Sequence, residues 1–345
     1  MTTGLRAIGQ REPAHLNLDL NELAYQPLPA ISAVLRAQAA QAHRYPEFRP
    51  DQTRAVIAEH HGVARSQVTV GAGATGVALA ALQSCRRDAG RIAHPSMVTA
   101  LPTFDGYPIL ARMVGLRLDG VRLTPNGSVD LTALFDAVGP STVAVVVCSP
   151  HNPTGAVVDE TLLHEFIEAL PDRVTVVLDE AYVEFSQRPP DLYRLIGRHE
   201  RVLVLRTFSK AYGLAGLRVG YGLGAPDLVA RVADFEVPFA VGSAASAAVP
   251  VALSSQLDLR HRVAAMRAER DRLAARLASI GVATLPSEGN FLFLPGAAGT
   301  DIGRVLAGCG VVVKQCGTHG VRITVGDRAS TDYVVDALRV AALTA

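Results

Sequence analysis

The sequence predicts an α/β protein, with a large domain on an open, mostly parallel sheet and a smaller α+β domain. Two observations lead there. Between residues 45 and 238, short apolar β-branched runs alternate with longer segments rich in alanine, leucine and charge. Strands joined by right-handed helical crossovers produce this alternation. Beyond residue 241 it gives way to one long Arg/Ala segment and then three short apolar runs. The expected division is an N-terminal arm over 1–44 that joins the smaller domain, a large domain over 45–238, and a C-terminal domain over 239–345. The arm carries Pro13, Pro27 and Pro29.

Taken in order, strands are expected at 68–70, 143–148, 174–178 and 202–205. Their near-continuous apolar character suits parallel strands covered on both faces. A further strand is expected at 91–93. Helices are expected at 76–85, 131–138, 159–169 and 226–232. In the second region the pattern predicts a helix over 257–280, strands at 291–294, 311–313 and 321–325, and a closing helix over about 331–342.

Composition excludes several classes. The 345 residues suffice for a sizeable core. A formal net charge of +1, without a basic stripe, argues against nucleic-acid binding. No run approaches the ~18 apolar residues of a membrane span, and the opening MTTGLRAIGQREP lacks the apolar centre of a signal peptide. Cys85, Cys148, Cys309 and Cys316 form no CxxC pair and read as small apolar fillers in a reducing cytoplasm. The histidines include His60-His61 but no HExxH, so no metal site is expected.

Four motifs carry chemistry. Residues 71–76, Gly-Ala-Gly-Ala-Thr-Gly, satisfy GxGxxG after a strand and open a helix. A dinucleotide site also needs an acid at the end of the next strand. The expected strand at 91–93 runs into His94-Pro95-Ser96 instead, so that site is rejected. A helix start remains, whose free N–H groups at Ala74 and Thr75 form an anion seat; a turn serving only close packing explains the glycines equally well. Next, SPHNPTG over 149–155 is a turn constrained by two prolines and a glycine, able to hold the Asn152 amide rigidly towards a ligand oxygen. Third, Asp179 emerges at the carboxyl end of an apolar strand, where open α/β sheets place ligands. A carboxylate there is costly without a cation, and a protonated pyridine nitrogen is one. Tyr182, three residues on, can donate to a phenolic oxygen of the same ring. Finally, TFSKAYGLAGLRVGYG over 207–222 sets Lys210 directly after Ser209 and eight residues before Arg218. An amine that must stay reactive beside a bound phosphate matches pyridoxal phosphate: the lysine bonds the aldehyde while hydroxyl and guanidinium hold the phosphate.

With these motifs in this order, the chain resembles the fold-type-I pyridoxal-phosphate aminotransferases, and within them the histidinol-phosphate and aromatic-amino-acid aminotransferase branch. The resemblance runs over about residues 21–326. It implies an aspartate-aminotransferase-like fold with a seven-stranded-type sheet, pyridoxal 5'-phosphate as cofactor, and a homodimer. It also implies transfer of an amino group between histidinol phosphate or an aromatic amino acid and 2-oxoglutarate. By this resemblance Lys210 is the Schiff-base lysine and proton shuttle, and Asp179 pairs with the pyridine nitrogen. Asn152 and Tyr182 meet the ring hydroxyl, while Ser209, Arg218 and the amides of Ala74 and Thr75 hold the phosphate. Phe104, in LPTFDGY, stacks on the ring. Tyr45, in HRYPEF, reaches the partner subunit's phosphate. Arg322, in GVRITVG, binds the substrate's carboxylate or phosphate. Asn21 and Glu22 lie over the site, and Asn290, in EGNFLF, lies near the substrate.

The chain departs from that branch in three places. GQREPAHLNLDL replaces the aromatic- and proline-containing motif before Asn21-Glu22, His151 is unusual within its turn, and 94–105 lacks a Trp-Arg-Ser-Phe run. Two other readings share the scaffold: a decarboxylase of an amino-acid phosphate, as in cobalamin-linked relatives, and a regulator without turnover. The presence of Lys210, Asp179 and Arg218 speaks against the second.

Overall fold

The computed structural model describes residues 16–344. The first strand, β1 (Leu16–Leu18), belongs to the smaller of two sheets. The larger contains β2 (Val68–Gly71), β3 (Ser96–Leu101), β4 (Arg117–Arg122), β5 (Thr142–Cys148), β6 (Thr175–Asp179), β7 (Val202–Thr207) and β8 (Gly220–Gly224). These seven strands follow the order β2-β8-β7-β6-β5-β3-β4. Pairings from β7 across to β4 are all parallel, whereas β8 runs antiparallel to both β2 and β7. The expected fold class is the one observed. Alternate residues of the central strands feed two cores: Val176 and Leu178 of β6 face one, Val177 the other. That two-sided burial is why these strands read as continuous apolar runs.

One expected element is corrected. Residues 91–93 lie in the turn after the helix Gly73–Asp88, and the strand begins five residues later at Ser96. His94 has φ of 50° and precedes Pro95, which breaks any extended run before SMVTAL pairs with β5. Leu101 ends β3 and is followed by Pro102 and Thr103, so the strand still delivers no carboxylate for a ribose. The helix expected at 76–85 is longer and starts at Gly73, which brings its amino terminus up against the end of β2.

The second sheet, ordered β1-β10-β11-β9, adds β9 (Phe291–Pro295), β10 (Val311–Gln315) and β11 (Gly320–Thr324). β1 lies parallel on β10 with Leu16 opposite Val311; the other two pairings are antiparallel. The 23-residue helix Gln256–Ala278 and the closing helix Arg328–Thr344 accompany this sheet. Residues 1–15 of the expected N-terminal arm, Pro13 included, lie outside the described residues. Among the described residues no helix is long and apolar enough to cross a membrane.

Candidate active site

Cys148, Asp179 and Leu205 stand opposite one another in the parallel ladder, so the carboxyl ends of β5, β6 and β7 are level. Three of the sequence motifs therefore open onto one place. A cavity of about 440 Å³ lies there, with Lys314 and Arg322 of the smaller sheet in its facing wall.

One end of the cavity suits an anion. The helix Gly73–Asp88 brings Ala74 and Thr75 into the wall beside Ser209 and Arg218. The Arg218 guanidinium donates to the Ser209 hydroxyl at 3.3 Å, and Thr207 Oγ1 donates to the same oxygen at 3.0 Å. Two glycines permit this closeness. A Cβ on Gly73, which has φ of 75°, would lie 2.3 Å from Arg218 Nη2, and one on Gly220 would lie 2.2 Å from the Ala74 nitrogen. A guanidinium packed on the positive end of a helix calls for a negative group between them. A phosphate fits this cradle.

The opposite requirement is met at β6. In the pleat Asp179 follows Val177 to the cavity side, while Glu180 turns to the other face and pairs with Arg206 at 2.8 Å. Asp179 is buried, its Oδ2 accepting from the Tyr107 hydroxyl at 2.5 Å and its Oδ1 from the Ala181 N–H at 3.0 Å. Burial raises its pKa, opposed by those hydrogen bonds and by the charge of Lys210. A cavity-facing carboxylate in this state is a ready acceptor for a ring N–H⁺. Beside it the Tyr182 hydroxyl accepts from Asn21 Nδ2 at 2.9 Å and Asn152 Nδ2 at 3.4 Å. Burial pushes its pKa up to about 12, so it keeps its proton at neutral pH.

Lys210 reaches into this constellation. Its Nζ donates to the Leu20 and Asn21 carbonyls at 2.9 and 3.2 Å and lies 5.7 Å from the Tyr182 ring centroid. Burial first, then the nearby positive charge of Arg322, lower its pKa to about 8. Arg322 itself is buried, donating through Nη1 to Asn152 Oδ1 at 2.5 Å and through Nη2 to the Asp19 carbonyl. Its Nε has no partner among the described residues. A buried guanidinium N–H left unpaired is costly, and an incoming carboxylate would satisfy it.

Most of the residues singled out in the sequence converge. Glu22, Ala74, Thr75, Phe104, Asn152, Asp179, Tyr182, Ser209, Lys210, Arg218 and Arg322 all line the cavity. Asn21 and Asn290 lie behind its wall: Asn290 Nδ2 donates to the Asn21 carbonyl at 3.1 Å, and Asn21 to Tyr182. Tyr45 stands apart, 84 % exposed, with its ring 5.0 Å from that of Phe239. Tyr107 went unnoticed in the sequence. Its signal is the i,i+3 spacing from Phe104 in TFDGY, which sets both rings at the start of the helix Gly106–Met113.

A reactive amine, a carboxylate and an anion cradle at level strand ends mark the class of enzymes that use pyridoxal phosphate on the aspartate-aminotransferase-like fold. Residues 13–338 match the model of the aminotransferase class I and II family, and the chain belongs to that family. It is 38 % identical over 327 residues to the aromatic amino acid aminotransferase of Nocardia farcinica, covering 92 % of this chain and 89 % of that protein. It superposes with a TM-score of 0.85 on histidinol-phosphate aminotransferase from Sinorhizobium meliloti in complex with pyridoxal-5'-phosphate. That pair is 27 % identical and covers 94 % of this chain and 89 % of the other. A Thermus thermophilus aspartate aminotransferase double mutant shares the fold at a TM-score of 0.78 and 22 % identity, covering 94 % and 90 % of the two chains. The protein is a pyridoxal-phosphate-dependent aminotransferase.

Proposed function

We propose that this aminotransferase exchanges the amino group of an aromatic amino acid with a 2-oxo acid, with 2-oxoglutarate the expected acceptor and histidinol phosphate the alternative donor. The observation that carries the reading is Lys210, half-buried and lining the same cavity as Asp179, Arg218 and Arg322. The name of the Nocardia relative supports an aromatic donor over the phosphorylated one, and it also disfavours a decarboxylase.

Pyridoxal phosphate supplies an aldehyde that takes up amino groups and a ring that accepts the electrons released when a proton leaves the substrate α-carbon. In this reading Ser209, Arg218 and the amides of Ala74 and Thr75 hold its phosphate. Asp179 pairs with its ring nitrogen, Asn152 and Tyr182 meet its ring oxygen, and Phe104 covers one ring face. Lys210 would be the residue that bonds the aldehyde, and its Nζ, freed when substrate is bound, would be the base that holds and moves the substrate's α-proton. Arg322 grips the substrate carboxylate through its unpartnered Nε, while Glu22, Asn21 and Asn290 shape the adjoining wall. The same reading divides the chain into an arm to residue 44, a large domain to 238 and a small domain beyond.

The working unit in this reading is a homodimer in the cytoplasm. Tyr45, Phe48 and Phe239 form an aromatic cluster, 84, 59 and 42 % exposed, with Phe239 centred 5.0 and 5.1 Å from the other two rings. Surface clusters of this kind mark contact sites, and Tyr45 would cross to the partner's phosphate. Four free cysteines suit a reducing compartment. Sedimentation of the purified protein is expected to give twice the chain mass of 36.4 kDa; an active species at the single-chain mass would refute the dimer.

A panel of amino donors against 2-oxoglutarate tests the substrate. Phenylalanine or tyrosine is expected to form glutamate with kcat/KM at least about tenfold above histidinol phosphate, the discrimination a single pocket supplies. Histidinol phosphate equal to or better than every aromatic donor would overturn the choice.

A further inference from the structure

We propose that Tyr107 is a positioning residue of this site: its hydroxyl fixes the Asp179 carboxylate towards the cofactor's ring nitrogen, while its ring braces Phe104. The inference deepens the reading of Asp179 given above and rests on it.

The geometry separates this tyrosine from an ordinary core residue. Tyr107 is 1 % exposed, in a place where phenylalanine would fill the same space without a buried hydroxyl to satisfy. That hydroxyl meets Asp179 Oδ2 at 2.5 Å, and the Ala181 N–H meets the other oxygen at 3.0 Å. Both oxygens of the carboxylate are thus tied, one by backbone and one by a side chain from across the sheet. Asp179 is itself in the cavity wall, as is Tyr107. The Tyr107 ring meets the Phe104 ring edge-on, with centroids 5.7 Å apart and an interplanar angle of 88°. One side chain therefore touches both the carboxylate and the aromatic ring that border the expected cofactor.

The chemistry gives the hydroxyl a task. Burial, reinforced by the charge of Asp179, raises the Tyr107 pKa well above its ordinary value, so it remains a donor at working pH. A hydrogen bond donated to a carboxylate favours its ionised form and lowers its basicity. A less basic Asp179 leaves the shared proton on the ring nitrogen, where it makes the ring a better acceptor of electrons. The other titratable groups facing this pair are Cys148 on β5, Tyr182 after β6 and Lys210 after β7. Cys148 is within 3.8 Å of Thr103 Oγ1 and Tyr182 is engaged with Asn21. Among the described residues, Tyr107 alone hydrogen-bonds the Asp179 carboxylate through its side chain.

The test is a cycle of Tyr107→Phe, Asp179→Asn and the double variant. Each apoprotein is titrated with pyridoxal phosphate for its Kd, then assayed for kcat and KM with an aromatic donor. Tyr107→Phe keeps the ring and its contact with Phe104. It is expected to weaken cofactor binding about tenfold and lower kcat about tenfold, the size of a hydrogen bond to a charged group, with KM changed less than about twofold. In the Asp179→Asn background the same substitution is expected to change Kd less than about twofold, because the two residues act as one unit. An unchanged Kd and kcat in Tyr107→Phe would overturn the proposal, and so would an equal loss in both backgrounds. If Asp179→Asn itself binds cofactor as the parent does, the role of Asp179 fails and that of Tyr107 with it. If Asp179→Asn binds weakly while Tyr107→Phe does not, only the proposal for Tyr107 fails.

Discussion

Lys210→Ala is expected to abolish transamination, lowering kcat by roughly three orders of magnitude or more, since it removes the proposed nucleophile and with it a proton carrier worth about 10²–10⁴-fold. The residues proposed to hold the phosphate, the ring nitrogen and the substrate carboxylate all persist in that variant, so cofactor is still expected to enter. The visible absorbance of the lysine-linked cofactor is expected to vanish while noncovalent binding remains. In the unaltered protein the pKa of Lys210, about 8, gives the capture of cofactor a pH dependence of definite sign. The group is a cation with a lowered pKa, so the neutral, bond-forming amine grows as pH rises through 8 and is scarce below it. Stopped-flow mixing of apoprotein with pyridoxal phosphate is expected to show capture accelerating between pH 7 and 9. A rate that fell over that interval, or a Lys210→Ala protein that retained turnover, would reject the assignment.

Asp179→Ala carries the second largest expected effect. Removing one member of a buried charge pair costs about 3–5 kcal/mol, which corresponds to roughly a hundredfold to a few thousandfold in kcat. The loss compounds, because the Tyr107 hydroxyl and the Ala181 N–H lose their acceptor as well. Cofactor affinity and kcat are expected to fall together, with KM for the donor little changed, since in the proposed reading Asp179 meets the ring and not the donor. A kcat within tenfold of the parent would show that the ring nitrogen finds its partner elsewhere.

Neighbouring residues show how far the sequence could be read. In LDEAY the strand alternation alone separates Asp179 from Glu180, one towards the cavity and one into a buried ion pair with Arg206. Which face holds the cavity follows only from sheet order. Strands covered on both sides announced themselves as unbroken apolar runs, and their carboxyl ends carried three of the four motifs. β4 and β8 did not. β4 is an edge strand with exposed Arg117 and Arg122, so it lacks the signature of a buried strand. β8, GYGLG, is buried but has no β-branched residue, and its Gly220 presses against Ala74, where a Cβ would not fit. The 91–93 error arose because a short apolar pair resembled a strand where a left-handed His94 in fact turns the chain. Tyr107 was hidden for a topological reason. Its partner lies 72 residues away, and β3 standing next to β5 brings the two together. Asn21 was legible only through resemblance; its burial beneath Tyr182 depends on the N-terminal segment crossing from the smaller sheet.

The whole mechanism rests on one nitrogen. The chain contains just two lysines, Lys210 and Lys314, and both line the same cavity; Lys314 is engaged with Asp105. Borohydride reduction of the cofactor-loaded protein, followed by proteolysis and mass spectrometry, distinguishes them directly. The pyridoxyl mass is expected on the peptide containing Lys210. Its appearance on the peptide containing Lys314, or on neither, would contradict the account.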